Sequence, residues 1–121
     1  MSVESLPAGC VLDVAGSLAR LGDDRELFLE LVGFYREDAP RLYSDLRDAV
    51  KEKNAQAIRM QAHALKGLVA GCGGVRAANA AQKVETAGQD GDLKHIASLV
   101  DTLGDEMHLL KQALFDYSRS D

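Results

Sequence analysis

The sequence is poor in residues that interrupt helices, and it has few large rings from which to build a core. Only two of its 121 residues are proline, aromatic side chains make up 5%, and tryptophan is absent. Scarce proline favours long helices over a many-stranded sheet. Apolar residues still make up 46% of the chain, so its core has to come from leucine, valine and alanine. The length fits a single domain.

Patterns that would indicate nucleic-acid or membrane binding are also missing. The 14 basic side chains are scattered among 19 acidic ones, for a net charge of −5, and no basic run could follow a phosphate backbone. No window approaches the roughly 18 apolar residues of a membrane span. Residues 1–10 lack the basic start and apolar stretch of a signal peptide. We therefore expect a cytoplasmic protein that binds neither nucleic acid nor membrane.

Cysteine is nearly absent as well. Cys10 and Cys72 have no paired spacing, and although one disulfide could join them, nothing in the sequence indicates an oxidising compartment. We expect two free thiols, with Cys72 in the core.

Apolar residues recur at spacings of three and four along most of the chain, which predicts amphipathic helices. Residues 1–12 are predicted to be a flexible lead-in, and residues 13–118 to be one helical domain. A short first helix is expected to end at Gly22, because glycine readily adopts the left-handed conformation that stops a helix. The second helix is expected to begin with Asp23 as its N-cap.

Four longer helices follow from the same spacing. Pro40 lies within the apolar stripe of the second helix, and one kinked helix is favoured over two separate ones. The third helix is predicted from a cap at Asn54 to the Gly73-Gly74 pair, and the fourth over about residues 75–87, with its end marked by residues 88–91. The fifth is predicted after a cap at Asp92. Short connections between such helices predict an all-α fold, an antiparallel up-down four-helix bundle with a short extra N-terminal helix.

The third helix turns a histidine away from its apolar stripe. At about 100° per residue, the stripe falls roughly opposite His63. It consists of Ile58, Ala62, Leu65, Leu68, Val69 and Cys72. The residues within about 60° of His63 are mostly small or polar. They are Gln56, Arg59, Met60, Lys66, Gly67, Ala70 and Gly74, with Gly71 just beyond.

Two glycines inside this helix, Gly67 and Gly71, lower its stability, and something must compensate for that loss. Each is less favourable than alanine by about 1 kcal/mol in a helix interior. Close helix packing or close approach by a partner would compensate, and packing is slightly favoured for Gly71.

Imidazole is a nucleophile that can hold a phosphoryl group, and the ammonium of Lys66, at i+3 from His63, could reach that group. Gly67, at i+4, clears the space above the ring.

These residues carry a resemblance to a known family. The run Ala62-His63-Ala64-Leu65-Lys66-Gly67, followed by Gly73, resembles the signature of histidine-containing phosphotransfer (HPt) domains, found in bacterial phosphorelays and hybrid sensor kinases. The resemblance extends from about residue 13 to residue 117 and includes the pairs Val84-Glu85 and Gly91-Asp92.

The resemblance implies a role for each residue of the motif. His63 matches the phospho-acceptor, Lys66 the lysine that steadies the phosphoryl group, and Gly67 the glycine that leaves room for it. It also implies a monomer that is not an enzyme and has no cofactor of its own. The implied partners are response-regulator receivers, which supply an aspartate and Mg²⁺, and a sensor or hybrid histidine kinase. The predicted docking surface comprises Gln56, Arg59, Met60, Ala70, Gly71 and Gly74.

One departure from the family concerns the imidazole. Many members have small polar residues just after the Lys-Gly pair, where this chain has Leu68 and Val69. The group that orients His63 is therefore left open. Glu85 is a candidate for a place near this face, although a plain surface acid is an equal interpretation.

The leading hypothesis is a phosphorelay intermediate that passes a phosphoryl group between receiver aspartates. A direct substrate domain of a chemotaxis-type kinase and a non-phosphorylated receiver-docking module are alternatives. A metal or haem bundle is disfavoured, because none of the three histidines is preceded at i−3 by the glutamate of a di-iron motif. A free-standing protein and the end of a hybrid kinase fit equally well, and neither the receiver nor the direction of transfer follows from the sequence.

Overall fold

The computed structural model describes residues 10–119, and every regular element in this range is a helix. The helices are α1 (Val14–Arg20), α2 (Arg25–Lys51), α3 (Ala55–Gly71), α4 (Val75–Asp90) and α5 (Ile96–Arg119). The long helices α2 to α5 are joined by short connections and each packs against the next, while α5 returns to α2. The predicted bundle with a short extra N-terminal helix is therefore confirmed. Most of the predicted lead-in, residues 1–9, lies outside the described residues, so the domain boundary at residue 13 stays a prediction.

The start of α2 differs from the prediction by one residue. Asp24 is the N-cap, and its carboxylate accepts a hydrogen bond from the Leu27 N–H at 3.0 Å. Asp23 has a φ of 63° and Gly22 a φ of 67°, so both belong to the left-handed turn that ends α1. From Asp24 onward α2 is one helix that continues through Pro40, as favoured from the sequence.

The boundaries of the later helices combine one success with three errors. Asn54 caps α3 as predicted and accepts from the Ala57 N–H at 3.0 Å. However, α3 ends at Gly71, and α4 continues to Asp90 because its stop is Gly91, with a φ of 71°. Asp92 does not cap α5, which begins at Ile96; its carboxylate accepts from Lys94 N–H at 3.3 Å in the preceding turn.

The apolar faces of the four long helices meet in one core. From α3 it takes the predicted stripe, although Leu68 is only half-buried. Cys72 is buried with a free thiol whose pKa burial raises to about 12, and Cys10 is also free, as predicted. The hydroxyls of Tyr35 and Tyr43 donate to the backbone oxygens of Met107 and Val100, at 3.0 and 2.9 Å, and so join α2 to α5.

The short helix α1 closes the end of the bundle at which α3 stops. Ser17 Oγ is buried and donates to the Gly71 carbonyl at 2.7 Å, and an Arg20 N–H donates to the Ala70 carbonyl at 3.2 Å. The last carbonyls of α3 lack partners within their own helix, so these bonds satisfy part of that need. None of the helices within residues 10–119 combines the length and apolar character needed to cross a membrane.

Helices α3 and α4 make the most extensive contact in the bundle, and small residues permit it. Along α4 the buried positions are mainly alanines, and Gly88 lies directly against the backbone of α3. A Cβ atom at residue 88 would stand 2.8 Å from Arg59 N and 2.9 Å from Ala55 O. The absence of a side chain at residue 88 therefore sets the distance between the two helices.

We expect Gly88→Ala to destabilise the fold by about 1–3 kcal/mol, because backbone atoms of α3 cannot move aside as a flexible side chain can. The matched control is Gly33→Ala in α2, where a Cβ would meet nothing within 4 Å. This control should gain up to about 1 kcal/mol from helix propensity. Urea denaturation followed by circular dichroism measures both changes, and equal effects at the two sites would contradict the packing argument.

Candidate functional site

His63 lies on the outer surface of α3 with its ring open to solvent. Its side chain is 67% exposed, whereas the neighbouring Ala62 and Leu65 are completely buried. The helical period produces this contrast, because the two apolar residues anchor one face of α3 in the core and turn residue 63 away from it. The imidazole is thus fixed at its base and accessible at its tip.

Glu85 of α4 holds one nitrogen of this ring. Its Oε2 lies 3.0 Å from His63 Nδ1, and its side chain is only 13% exposed. A carboxylate can only accept, so in the neutral imidazole the proton belongs on Nδ1. The lone pair is then on Nε2, the nitrogen farther from Glu85.

Lys66 binds the other oxygen of the same carboxylate. Its Nζ lies 2.9 Å from Glu85 Oε1 and donates to Gln82 Oε1, also at 2.9 Å. Gln82 in turn donates from Nε2 to Thr86 Oγ1 at 3.0 Å. Five side chains on α3 and α4 therefore form one polar network on the outer face of this helix pair.

The charges of this network act on Glu85. The hydrogen bond from Lys66 is the largest influence and lowers the pKa of the Glu85 carboxyl below its ordinary value. The hydrogen bond from His63 and the charges of both partners lower that pKa further, while partial burial opposes them. Glu85 is thus held as a carboxylate, the form that accepts from His63 and pairs with Lys66.

Internal packing requires neither of the two glycines in the second half of α3. A Cβ at Gly67 would meet nothing within 4 Å, and one at Gly71 would only touch Leu31 Cδ1 at an ordinary 3.7 Å. The packing explanation favoured for Gly71 is therefore not supported by the structure. Gly67 is exposed and lies one turn after His63 on α3, so its missing side chain leaves open space beside the ring.

The residues predicted to surround His63 differ in their exposure. Gln56 and Met60 are exposed, Met60 by 56%, while Arg59, Ala70 and Gly71 are half-buried. Gly74 does not belong to this surface. It is buried in the connection between α3 and α4, and a Cβ there would lie 2.5 Å from Leu110 Cδ2 of α5. The helical projection extended past the end of α3 and so misplaced it.

Sequence reasoning missed most of the α4 contribution to the site. The sequence predicts no role for Gln82 or Thr86, and it leaves Glu85 between two equal interpretations. Their spacings of three and four place all three on one side of α4. That signal was present in the sequence, but nothing in it showed that this side of α4 lies beside His63.

The other two histidines, His95 and His108, are exposed, as predicted. Within residues 10–119, no group of three or more histidine, cysteine, aspartate or glutamate side chains is arranged to hold a metal ion.

Comparisons with known proteins give a family model and a similar solved structure. A family model described as Hpt domain matches residues 30–113. A crystal structure of histidine-containing phosphotransfer protein B (HptB) from Pseudomonas aeruginosa PAO1 is similar, with a TM-score of 0.77 and 27% sequence identity. The match covers 91% of this chain and 95% of that one. A comparison with curated proteins found no match.

The lowered pKa of Glu85 makes part of the stability depend on pH. A carboxyl whose pKa is lowered on folding stabilises the protein above its ordinary pKa, here 4.5, and this contribution is lost as the pH falls through the folded value. We expect Glu85→Gln to lower the free energy of unfolding by about 1 kcal/mol near neutral pH. The difference from the unchanged protein should shrink to nothing in acid.

Denaturation curves at several pH values measure this difference. The control is Glu37→Gln, a change at an exposed glutamate of α2, which should alter stability by less than about 0.5 kcal/mol at every pH. A Glu85→Gln deficit that persists unchanged in acid would show that the carboxylate charge is not its cause.

Proposed function

This chain belongs to the Hpt domain family, and on that premise we propose that it is a phosphorelay intermediate of two-component signalling that carries the phosphoryl group on His63. The observation that carries the proposal is the exposed imidazole whose Nδ1 is bound to Glu85 at 3.0 Å. This bond leaves Nε2 as the nucleophile, on a side chain that is 67% exposed. A donor or acceptor on another protein requires this accessibility.

The transfer step follows from that geometry. The Nε2 lone pair attacks the phosphorus of a receiver aspartyl phosphate, and the bond between phosphorus and the aspartate oxygen breaks. The electron pair leaves with the receiver carboxylate, and a bond forms between Nε2 and phosphorus. No proton has to move, because Nδ1 keeps its hydrogen and the ring gains positive charge. Glu85 lies next to that charge and stabilises it. The reverse step passes the group to another receiver.

Lys66 supplies a positive charge beside the Glu85 oxygen that does not contact His63. An ammonium has three donors; in the structure one donates to Gln82, and the charge forms an ion pair with Glu85. A remaining donor can bind an oxygen of the phosphoryl group and offset part of its charge. Lys66 is only 29% exposed although it lies on the outer face of α3, because its ammonium lies against Glu85 and Gln82.

The remaining parts of the reaction are assigned to the partners. We propose that a receiver provides both the aspartate and the Mg²⁺ bound beside it, and that the chain has no cofactor of its own and is not an enzyme. A cytoplasmic monomer would serve this role. The surface around His63, with Met60 and Ala70 beside the open space at Gly67, would contact a receiver mainly through its shape.

His63→Gln should keep the fold, since residue 63 is exposed, and should abolish transfer. The assay incubates the protein with phosphorylated receivers and maps the acid-labile, base-stable label. The control, His108→Gln on α5, should retain full labelling. Label on a His63 variant would contradict the proposal. Uptake of label from a kinase but from no receiver would favour the chemotaxis-type alternative, and unchanged signalling by His63→Ala in cells would favour the docking module.

Substitutions at Gly67 should separate stability from transfer. Gly67→Ala should stabilise the isolated protein by about 1 kcal/mol, because the new methyl group meets no neighbour and alanine favours the helix. Gly67→Leu should slow transfer at least about tenfold by filling the space that the partner requires. Thermal denaturation and receiver-dependent labelling measure the two effects. If Gly67→Leu transferred at the original rate, the clearance role would be wrong.

A further inference from the structure

We propose that Gln82 is a positioning residue for Lys66, that Thr86 anchors the Gln82 side chain, and that the site requires a neutral amide at residue 82. This inference rests on the proposed function of His63. It extends the reacting site from α3 to two further residues of α4, neither of which belongs to the recognised motif.

The geometry ties Lys66 to α4 at two points. Its Nζ lies 2.9 Å from Glu85 Oε1 and 2.9 Å from Gln82 Oε1. A single partner would leave the long side chain free to rotate around that one contact. Two acceptors on successive positions of one helix face restrict the ammonium to a small volume beside the carboxylate that also holds His63. Gln82 thus reduces the freedom that Lys66 must lose during transfer.

Thr86 anchors the Gln82 amide, and Lys66 determines which end of that amide faces it. The amide Nε2 donates to Thr86 Oγ1 at 3.0 Å, one turn along α4, so the carbonyl oxygen is directed to the ammonium. The opposite orientation would place two N–H donors against a group that can only donate. Lys66 therefore selects the orientation, and the Thr86 hydroxyl, which can accept or donate, holds the amide in it.

The neutrality of Gln82 matters because of the charges around it. Lys66 already balances the one negative charge of Glu85, and a phosphoryl group adds about two more. A carboxylate at residue 82 could accept the same hydrogen bond from Lys66. It would, however, take up the charge of Lys66 and repel the incoming group. An amide positions the ammonium and leaves its charge available.

The test measures single-turnover transfer from a phosphorylated receiver at increasing receiver concentrations. Gln82→Ala should lower the maximal rate about fivefold, the value of one ordinary hydrogen bond, and leave the half-saturating concentration unchanged. Gln82→Glu should lower the maximal rate more than Gln82→Ala does, although it keeps an acceptor. Thr86→Val should lower the rate less than Gln82→Ala does.

The controls lie on the same face of α4, two turns further on. Gln89 is exposed, and both Gln89→Ala and Gln89→Glu should leave the maximal rate unchanged. The Gln89→Glu control separates a charge at the site from a charge elsewhere on the helix. Circular dichroism should show the same helical content for all variants.

A double-mutant cycle separates a positioning role from a structural one. If Gln82 acts through Lys66, Gln82→Ala should have no further effect in a Lys66→Ala background. The Lys66 ammonium signal in ¹⁵N-edited NMR should also broaden or shift in Gln82→Ala, in a measurement that needs no phosphoryl donor. Equal effects of Gln82→Ala with and without Lys66 would overturn the inference, as would an effect on half-saturation alone.

Failure of this inference can be told from failure of the proposed function. If the unchanged protein takes label on His63 while the cycle is additive, only the role of Gln82 is wrong. If the unchanged protein takes no label from any phosphorylated receiver or kinase, the phosphoryl role of His63 and the role of Gln82 are both wrong.

Discussion

One carboxylate, that of Glu85, connects the parts of the site. Its Oε2 accepts from His63 at 3.0 Å, and its Oε1 forms an ion pair with Lys66 at 2.9 Å. The ring therefore has a defined proton position, and the ammonium has a defined place beside the ring. Without the carboxylate, the imidazole would be an exposed side chain free to rotate. The lysine would be a solvated charge on the same helix.

That carboxylate reaches His63 only because α3 and α4 lie close together. The buried alanines of α4 and the bare backbone of Gly88 allow this approach, and larger residues would hold the helices apart. Small residues inside the bundle thus determine the geometry of a polar site on its surface. The stability of the α3–α4 contact and the arrangement of the site depend on the same residues.

The glycines of α3 differ in kind from Gly88. No neighbouring atom within the protein prevents a side chain at Gly67, and the helix would be more stable with alanine there. A protein that keeps such a residue loses stability in isolation, and the compensation has to come from outside the fold. An approaching partner that uses the open space beside His63 is the explanation consistent with the proposed transfer.

The order and type of the helices and the outward direction of His63 followed from the sequence, because hydrophobic period and local caps are properties of neighbouring residues. Helix ends were less accurate where two residues competed, as at Asp23 and Asp24, or where a turn preceded the helix, as at Ile96. Local sequence patterns could not identify the residues that contact His63 and Lys66. Which side of α4 faces α3, and at what height, depends on packing across the whole bundle. The tertiary structure alone placed Glu85 and Gln82 beside the motif, since residues 16 to 22 positions apart come together only when two helices pack in one register.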